Sequence, residues 1–250
     1  MFTSLNSFLV KNVALLKRLY KIYRLSKKRK DYDGLNNEEI FSKIYETKVW
    51  DYNHESAEQY FSGTGSHGQV AEKYVDFVNS FIQNNGVKSI TDIGCGDFAI
   101  GSKILQSNPQ LKYNGCDVVK GLIKRNEETF VADSLSFHHL DAANNDLPGA
   151  DLLTIRQVFQ HLCNEDIKKI LEKSKRFKYV LVSEHLLKEG DEKIINKDKP
   201  SGPDTRIAEG SGVYIHKPPF NIFCTKVLSI RDDAYNKEAY INTYIINNVS

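Results

Sequence analysis

Apolar positions along the chain follow two rhythms. Between residues 5 and 23, Leu5, Phe8, Leu9, Val13, Leu16, Leu19, Tyr20 and Tyr23 recur at spacings of three and four, the stripe of a single amphipathic helix. Lys11, Lys17, Arg18, Lys21 and Arg24 interrupt it too often for a bilayer-spanning helix, which needs roughly 20 apolar residues. No small-residue cleavage site follows a long apolar core, so a signal peptide is not expected either. Lys27 to Lys30, then Asp31, Asp33 and Gly34, predict a solvated hinge. From Ile90 onward the rhythm changes to short β-rich runs alternating with helical segments, which predicts a parallel sheet covered by helices. Strands are expected at 89–93, 112–118, 135–140, 151–155 and 179–183. The clearest helix is expected at 164–175, with Asn164 as its cap, Glu165 and Asp166 against the positive end of the dipole, and Ile167, Ile170 and Leu171 as the buried stripe. Runs 225–230 and 240–246 are joined by a polar turn too short for a helical crossover, so they should pair antiparallel.

Charge divides the chain unevenly. Nine of its 34 Lys and Arg, and none of its 32 Asp and Glu, lie in residues 1–30, so the remainder is net acidic and a poor surface for nucleic acid. The basic helix at the start suits packing on the chain's own body, on a second copy as a homodimer, or on an acidic membrane surface. Four scattered cysteines with no C-x-x-C pair point to a reducing compartment, hence a cytoplasmic protein, peripheral to the inner membrane face if that helix binds lipid. The adjacent His138 and His139 would point to opposite faces of a strand, and no histidine spacing suggests a metal; none is expected.

The densest chemistry lies at the end of the first expected strand, in Asp92-Ile93-Gly94-Cys95-Gly96-Asp97. Glycines there let the backbone turn tightly and approach a ligand. Gly94-x-Gly96-x-x-Ala99, with Asp117 about 20 residues on, also fits a dinucleotide fingerprint. Asp92 and Asp97 beside the loop would repel a pyrophosphate and attract a cationic sulfonium and ammonium.

The run 90–98, Asp117 closing the second strand, and Leu140-Asp141-Ala142 closing the third resemble the first three motifs of class I S-adenosylmethionine-dependent methyltransferases. The resemblance covers roughly residues 88–185. It implies an α/β fold: a doubly wound, mostly parallel seven-stranded sheet of Rossmann-like type, with an antiparallel C-terminal strand and an N-terminal helical extension, residues 1–34 before a methyltransferase domain at 35–250. Carried over, Asp92 would shape the loop, Gly94, Cys95 and Gly96 would meet the methionyl part, and Asp117 would hold the ribose hydroxyls. Asp141 would take the adenine amino group beside Ala142, and Val118, Arg156 and Gln157 would complete the cofactor shell. A looser resemblance, through Trp50, Ser62-Gly63-Thr64-Gly65-Ser66, the run 156–162 and 202–206 with 211–214 and 218–220, is to small bacterial methyltransferases of surface-polysaccharide and small-molecule biosynthesis. It implies O-methylation of a small acceptor such as a sugar nucleotide or glycan of capsule or lipopolysaccharide.

The residues themselves leave alternatives open. The 62–66 tract reads either as a plain loop or as a lid over the cofactor, with Tyr60 and Phe61 as an aromatic wall near the sulfonium. A hydroxyl acceptor needs a base as its bond forms, and the candidates are His185 after the fifth strand and His161. Asp204, Arg206 and Tyr214 lie where an acceptor pocket is usually elaborated, Arg206 suiting a phosphate or carboxylate. An NAD-linked oxidoreductase and a non-catalytic binding partner that keeps the fold are the competing classes.

Overall fold

In the computed structural model, residues 31–51, 60–235 and 237–248 are described. The chain divides into two compact units, residues 1–36 and 37–250. Of the first, only a turn and its continuation at 31–36 are described; the amphipathic helix expected at 5–23 lies outside the described residues.

In the second unit seven strands form one sheet: β1 (Ser89–Ile93), β2 (Lys112–Asp117), β3 (Leu135–His139), β4 (Leu152–Arg156), β5 (Tyr179–Leu187), β6 (Thr225–Arg231) and β7 (Ala239–Asn247), in the order β3-β2-β1-β4-β5-β7-β6. The first five pair in parallel, and β7 runs antiparallel to both β5 and β6. This is the doubly wound, mostly parallel architecture expected above. Register puts Asp92, Thr154, Leu181 and Ile245 on one face, and alternation puts Arg156, Ser183, His185 and Thr243 there too. Helices α2 (Gly68–Asn85), α3 (Ala99–Ser107) and α4 (Lys120–Thr129) cover this face: Tyr74, Val78, Ile82, Ile104 and Ile123 pack with Ile90, Tyr113, Leu152 and Leu181 in one core. Leu153, Ile155, Val180 and Val182 point the other way and are equally buried. Their face is covered by α5 (Asn164–Ser174) and by the irregular segment 188–224, whose His216 ring lies 5.2 Å from that of Tyr244.

Two local expectations are corrected. Asn164 does not cap α5 with its side chain; its own N–H is capped at 2.8 Å by Asp198, while its amide donates to Asn196 O at 3.0 Å. Strand β5 continues four residues past the expected end at Ser183, because β7 supplies a partner as far as Leu187 opposite Ala239.

Helix α1 (Asn37–Glu46) crosses the carboxyl edge of the parallel strands. Its first turn meets the end of β3, through Glu38 with His139 at 3.2 Å and Asn37 with Asp141 at 3.2 Å. Its last turn reaches the glycine turn after β1, through Tyr45 OH and Ser62 Oγ at 3.1 Å. Ile40, Phe41, Ile44 and Tyr45 form its buried stripe. Ile44 is fully buried, so Ile44→Ala is expected to lower unfolding free energy by about 2–5 kcal/mol, read from urea denaturation, through lost transfer energy and the cavity left behind.

Candidate functional site

The tips of β1 and β2 are stitched together by backbone. Cys116 O accepts from both Gly94 N–H and Cys95 N–H, at 2.8 and 3.0 Å, and Asp117 accepts from Gly96 N–H at 3.1 Å and Val119 N–H at 3.0 Å. Gly94 and Gly96 hold left-handed φ of 70° and 55°. A β-carbon at either would also collide with Val158 or with Ser62 Oγ. From α4, Asn126 donates to Gly96 O at 2.8 Å and Arg125 to Asp97 O at 3.2 Å. Phe98, also at positive φ, closes the turn by inserting its ring among Tyr113, Phe130 and Phe137.

Asp92 faces inward at the end of β1. Thr154 donates to it at 2.7 Å and Tyr113 at 2.9 Å. Burial pushes its pKa up to about 6 in spite of those two bonds and of Arg156 nearby. Asp117 is likewise raised by burial, against the pull of its backbone donors.

Residues 60–67 lie over this turn, as a lid would. Ser62 and Asp97 are joined twice: Ser62 N–H donates to Asp97 at 3.0 Å, and Asp97 N–H to Ser62 Oγ at 2.7 Å. Arg156, from the tip of β4, donates to Gly65 O at 2.5 Å and lies 5.0 Å above the Tyr74 ring. Gln157 packs against Gly65, which has no room for a β-carbon there. Tyr60 stacks edge-on against Tyr45, whereas Phe61 stacks on His67. Beneath this cover is a cavity of about 40 Å3 lined by Asp92, Asp97, Cys95, Tyr74 and Arg156 among others. Arg156 Nε is buried and has no partner.

Some expected site residues gather here and others do not. Asp141 closes β3, but its carboxylate accepts from Ala143 N–H, the Asn144 amide and Asn37. Ala142 is buried beside it, its carbonyl held by Lys173 at 3.1 Å, and Val118 O meets His139. His161 is a correction: buried beside Trp50, its Nδ1 faces Gly202 O at 3.2 Å and its Nε2 faces the Gln160 amide at 3.3 Å. Burial and Lys199 push its pKa down to about 3, leaving a very weak base. Arg206 is a second correction. It is buried, donating to Lys197 O and to Leu162 O, and so fastens segment 197–206 to the turn that leads into α5 instead of facing a ligand anion. Asp204 is half-buried in the same segment, and Tyr214 lines a separate cavity on the far face of the sheet. His185 remains available. Its Nε2 lies 2.7 Å from Asp232 O, and since a carbonyl only accepts, Nε2 carries the proton and Nδ1 keeps its lone pair. Among the described residues no cluster of three His, Cys, Asp or Glu is arranged to hold a metal, and no helix is long and apolar enough to cross a membrane. Glu184 accepts from the Phe159 and Gln160 N–H groups at 2.8 and 3.0 Å.

The glycine turn itself is poor in free donors for a phosphate. The N–H groups from Gly94 to Ala99 are all engaged within the protein, by Cys116, Asp117, Ser62, Cys95 and Asp97. None of these six is left to face a pyrophosphate, which draws on free backbone donors at a helix start.

Residues 91–177 match the model of a family described as a methyltransferase domain. No curated protein matches the sequence. Among solved structures, the fold is similar to that of the N-methyltransferase NodS from Bradyrhizobium japonicum WM9 in complex with S-adenosyl-L-homocysteine, at 11% identity over 79% of this chain and 96% of that one, TM-score 0.56. It is also similar to magnesium protoporphyrin IX methyltransferase from Synechocystis PCC 6803 with S-adenosyl-L-homocysteine bound, at 13% identity over 84% and 99%, TM-score 0.53. A third likeness is to the methyltransferase domain of bacterial CtHen1-CN, at 15% identity over 71% and 100%, TM-score 0.50. Residues 91–177 thus match a methyltransferase domain, and two of the similar folds hold S-adenosyl-L-homocysteine, the product form of the methyl donor S-adenosylmethionine.

The residues present suit that cofactor. Its methionyl end carries an ammonium, a carboxylate and a sulfonium; beneath residues 60–67 Asp92 and Asp97 suit the cations and the unpartnered Arg156 Nε the carboxylate, in a space of about 40 Å3 that has to widen to admit them. When bound, the cofactor supplies an electrophilic methyl group.

Glu184 also carries a pH signature. Burial raises its pKa from 4.5 to about 8. A carboxyl raised on folding stabilises the fold below its unfolded pKa, and that contribution is lost as pH rises through the folded value. Urea midpoints should therefore fall between about pH 4.5 and about pH 8, and Glu184→Gln should flatten the profile across that window.

Proposed function

We propose that this methyltransferase transfers its methyl group to a hydroxyl of a small polar acceptor, a sugar or sugar-linked group of a surface glycan, with His185 as the base. The observation that carries the reading is the setting of His185. It leaves β5 on the same face as Arg156, beyond the tip of β4, and Asp232 backs its protonated nitrogen with both a carbonyl at 2.7 Å and a carboxylate at 3.7 Å. In that tautomer Nδ1 takes the hydroxyl proton as the oxygen gains the methyl, and the Asp232 carboxylate stabilises the imidazolium formed. A hydroxyl needs such a base, because its own proton is held far too tightly for release at neutral pH.

Binding of the cofactor falls to the other half of the site. Asp117 supports the ribose reading by its position at the tip of β2 beside the glycine turn, where its carboxylate already orders Gly96 and Val119. Asp141 and Ala142, at the tip of β3 under the first turn of α1, stand where an adenine ring would be bounded. Val118 and Gln157 flank these groups, next to Asp117 and Arg156 respectively.

Screening nucleotide sugars and glycan fragments with radiolabelled S-adenosylmethionine tests the acceptor class: label should pass to a hydroxyl-bearing sugar, and transfer only to amines or to none of the panel would overturn it. Asp117→Asn should weaken binding of S-adenosyl-L-homocysteine on the order of 10- to 100-fold by calorimetry, the loss expected of a charged hydrogen bond. His185→Gln should leave that affinity unchanged while lowering kcat about 10^2- to 10^4-fold.

A further inference from the structure

A second cavity, of about 420 Å3, lies on the face of the sheet opposite His185. Its floor is β7 and β6: Tyr240, Asn242 and Tyr244 alternate with the residues that pack toward α2, and Ser229 stands opposite Asn242 in register. Its wall is the irregular segment after β5, which contributes Tyr214 and His216. The volume falls within the roughly 300–1,000 Å3 of small-molecule sites.

Three polar atoms of residues lining this cavity lack hydrogen-bond partners, Tyr214 Oη among them. Asn242 is more than nine-tenths buried, and its Oδ1 accepts no hydrogen bond; Nδ1 of the half-buried His216 is also buried and unpaired. A buried polar atom left unmet costs about 1–3 kcal/mol, so three in one lining mark where the polar groups of a ligand fit. Burial and Lys217 hold His216 below its ordinary pKa, and hence neutral.

The rest of the lining narrows the ligand class. Aromatic rings border the space from two sides, with Tyr214 and Tyr244 each in contact with His216 at 6.3 and 5.2 Å. Of the three lysines in the lining, Lys188 pairs with Glu238 at 3.0 Å, and Lys217 and Lys226 are matched by Glu189 and Glu192, so neither an anion nor a cation is favoured by net charge. Rings that offer faces to C–H groups, with neutral amide and imidazole acceptors between them, suit a compact molecule bearing several hydroxyls.

We infer that this cavity is a binding site for a neutral polyhydroxylated ligand, a sugar ring, separate from the site of methyl transfer. Hydroxyl groups of the ring donate to Asn242 Oδ1 and His216 Nδ1 while its C–H face lies on the tyrosines. Because the cavity and His185 are on opposite faces of β5 and β7, a ring held here is not the group being methylated.

Saturation-transfer NMR on the full chain tests this, using the methyl glycosides of glucose, galactose, mannose and N-acetylglucosamine as probes. At least one should receive saturation on its ring protons, and Asn242→Leu and His216→Ala should each weaken its binding at least tenfold. Both variants should bind S-adenosyl-L-homocysteine as the parent does, which reports an intact fold; His216, being half-buried, provides the readout if Asn242→Leu does not fold. Saturation of none of the four glycosides, or saturation undiminished in the folded variants, overturns the proposal. Because the probes are read without turnover, failure here is distinct from failure of the methyl-transfer reading, which would show as loss of cofactor binding or of activity.

Discussion

The architecture of the site depends on one carbonyl and one carboxylate at the tip of β2. Cys116 O accepts two consecutive N–H groups from the turn after β1, and Asp117 accepts the next available one. Together they bend the chain back across the neighbouring strand, and the positive φ at Gly94 and Gly96 is the conformational condition for that bend. Once it is made, the turn's donors are spent and its surroundings are rich in carboxylates. A loop so arranged repels phosphate and accepts a cation, and that single electrostatic fact separates methyl transfer from dinucleotide chemistry on otherwise similar sheets.

Around the bend, each further element closes a side. Helix α1 spans the strand tips from Asp141 to Ser62, the lid locks to Asp97, and Arg156 ties the lid to β4. Asp92, Asp117 and Glu184 all sit buried with raised pKa values, so the carboxyl edge of the sheet is kept at some cost in stability. Local strain at functional segments, offset by the packing around them, accounts for Phe98: its unfavourable backbone is held by three aromatic neighbours and by a glycine at 101 that leaves room for its ring.

The parallel strands were legible in the sequence because short β-rich runs alternate with helical segments, and the antiparallel pair because no crossover fits between 231 and 239. The glycine turn and Asp117 were legible because their spacing follows from strand and turn geometry. Segment 188–224 was not. It has no period to read, and Arg206, a charged residue that sequence assigns to solvent or ligand, is in fact buried on backbone carbonyls that only the folded chain brings together. Helix α1 did carry a signal, Ile40, Phe41, Ile44 and Tyr45 after Glu38 and Glu39, but nothing in that spacing tells which surface the stripe will cover. The sequence offered both His161 and His185 as bases, with His185 the better placed. Their environments, one enclosed by Trp50 and Gly202 and the other backed by Asp232, set them apart.

Strand β5 outruns its parallel neighbour. The last β4 pairing is at Ser183, yet β5 and β7 stay hydrogen-bonded to Leu187, an overhang of four residues, roughly 13 Å at about 3.3 Å each. This projecting ribbon bears His185 on one side and the start of the second cavity on the other, and no parallel strand flanks it. Insertions or substitutions there can be absorbed without disturbing the register of the strands beneath the glycine turn.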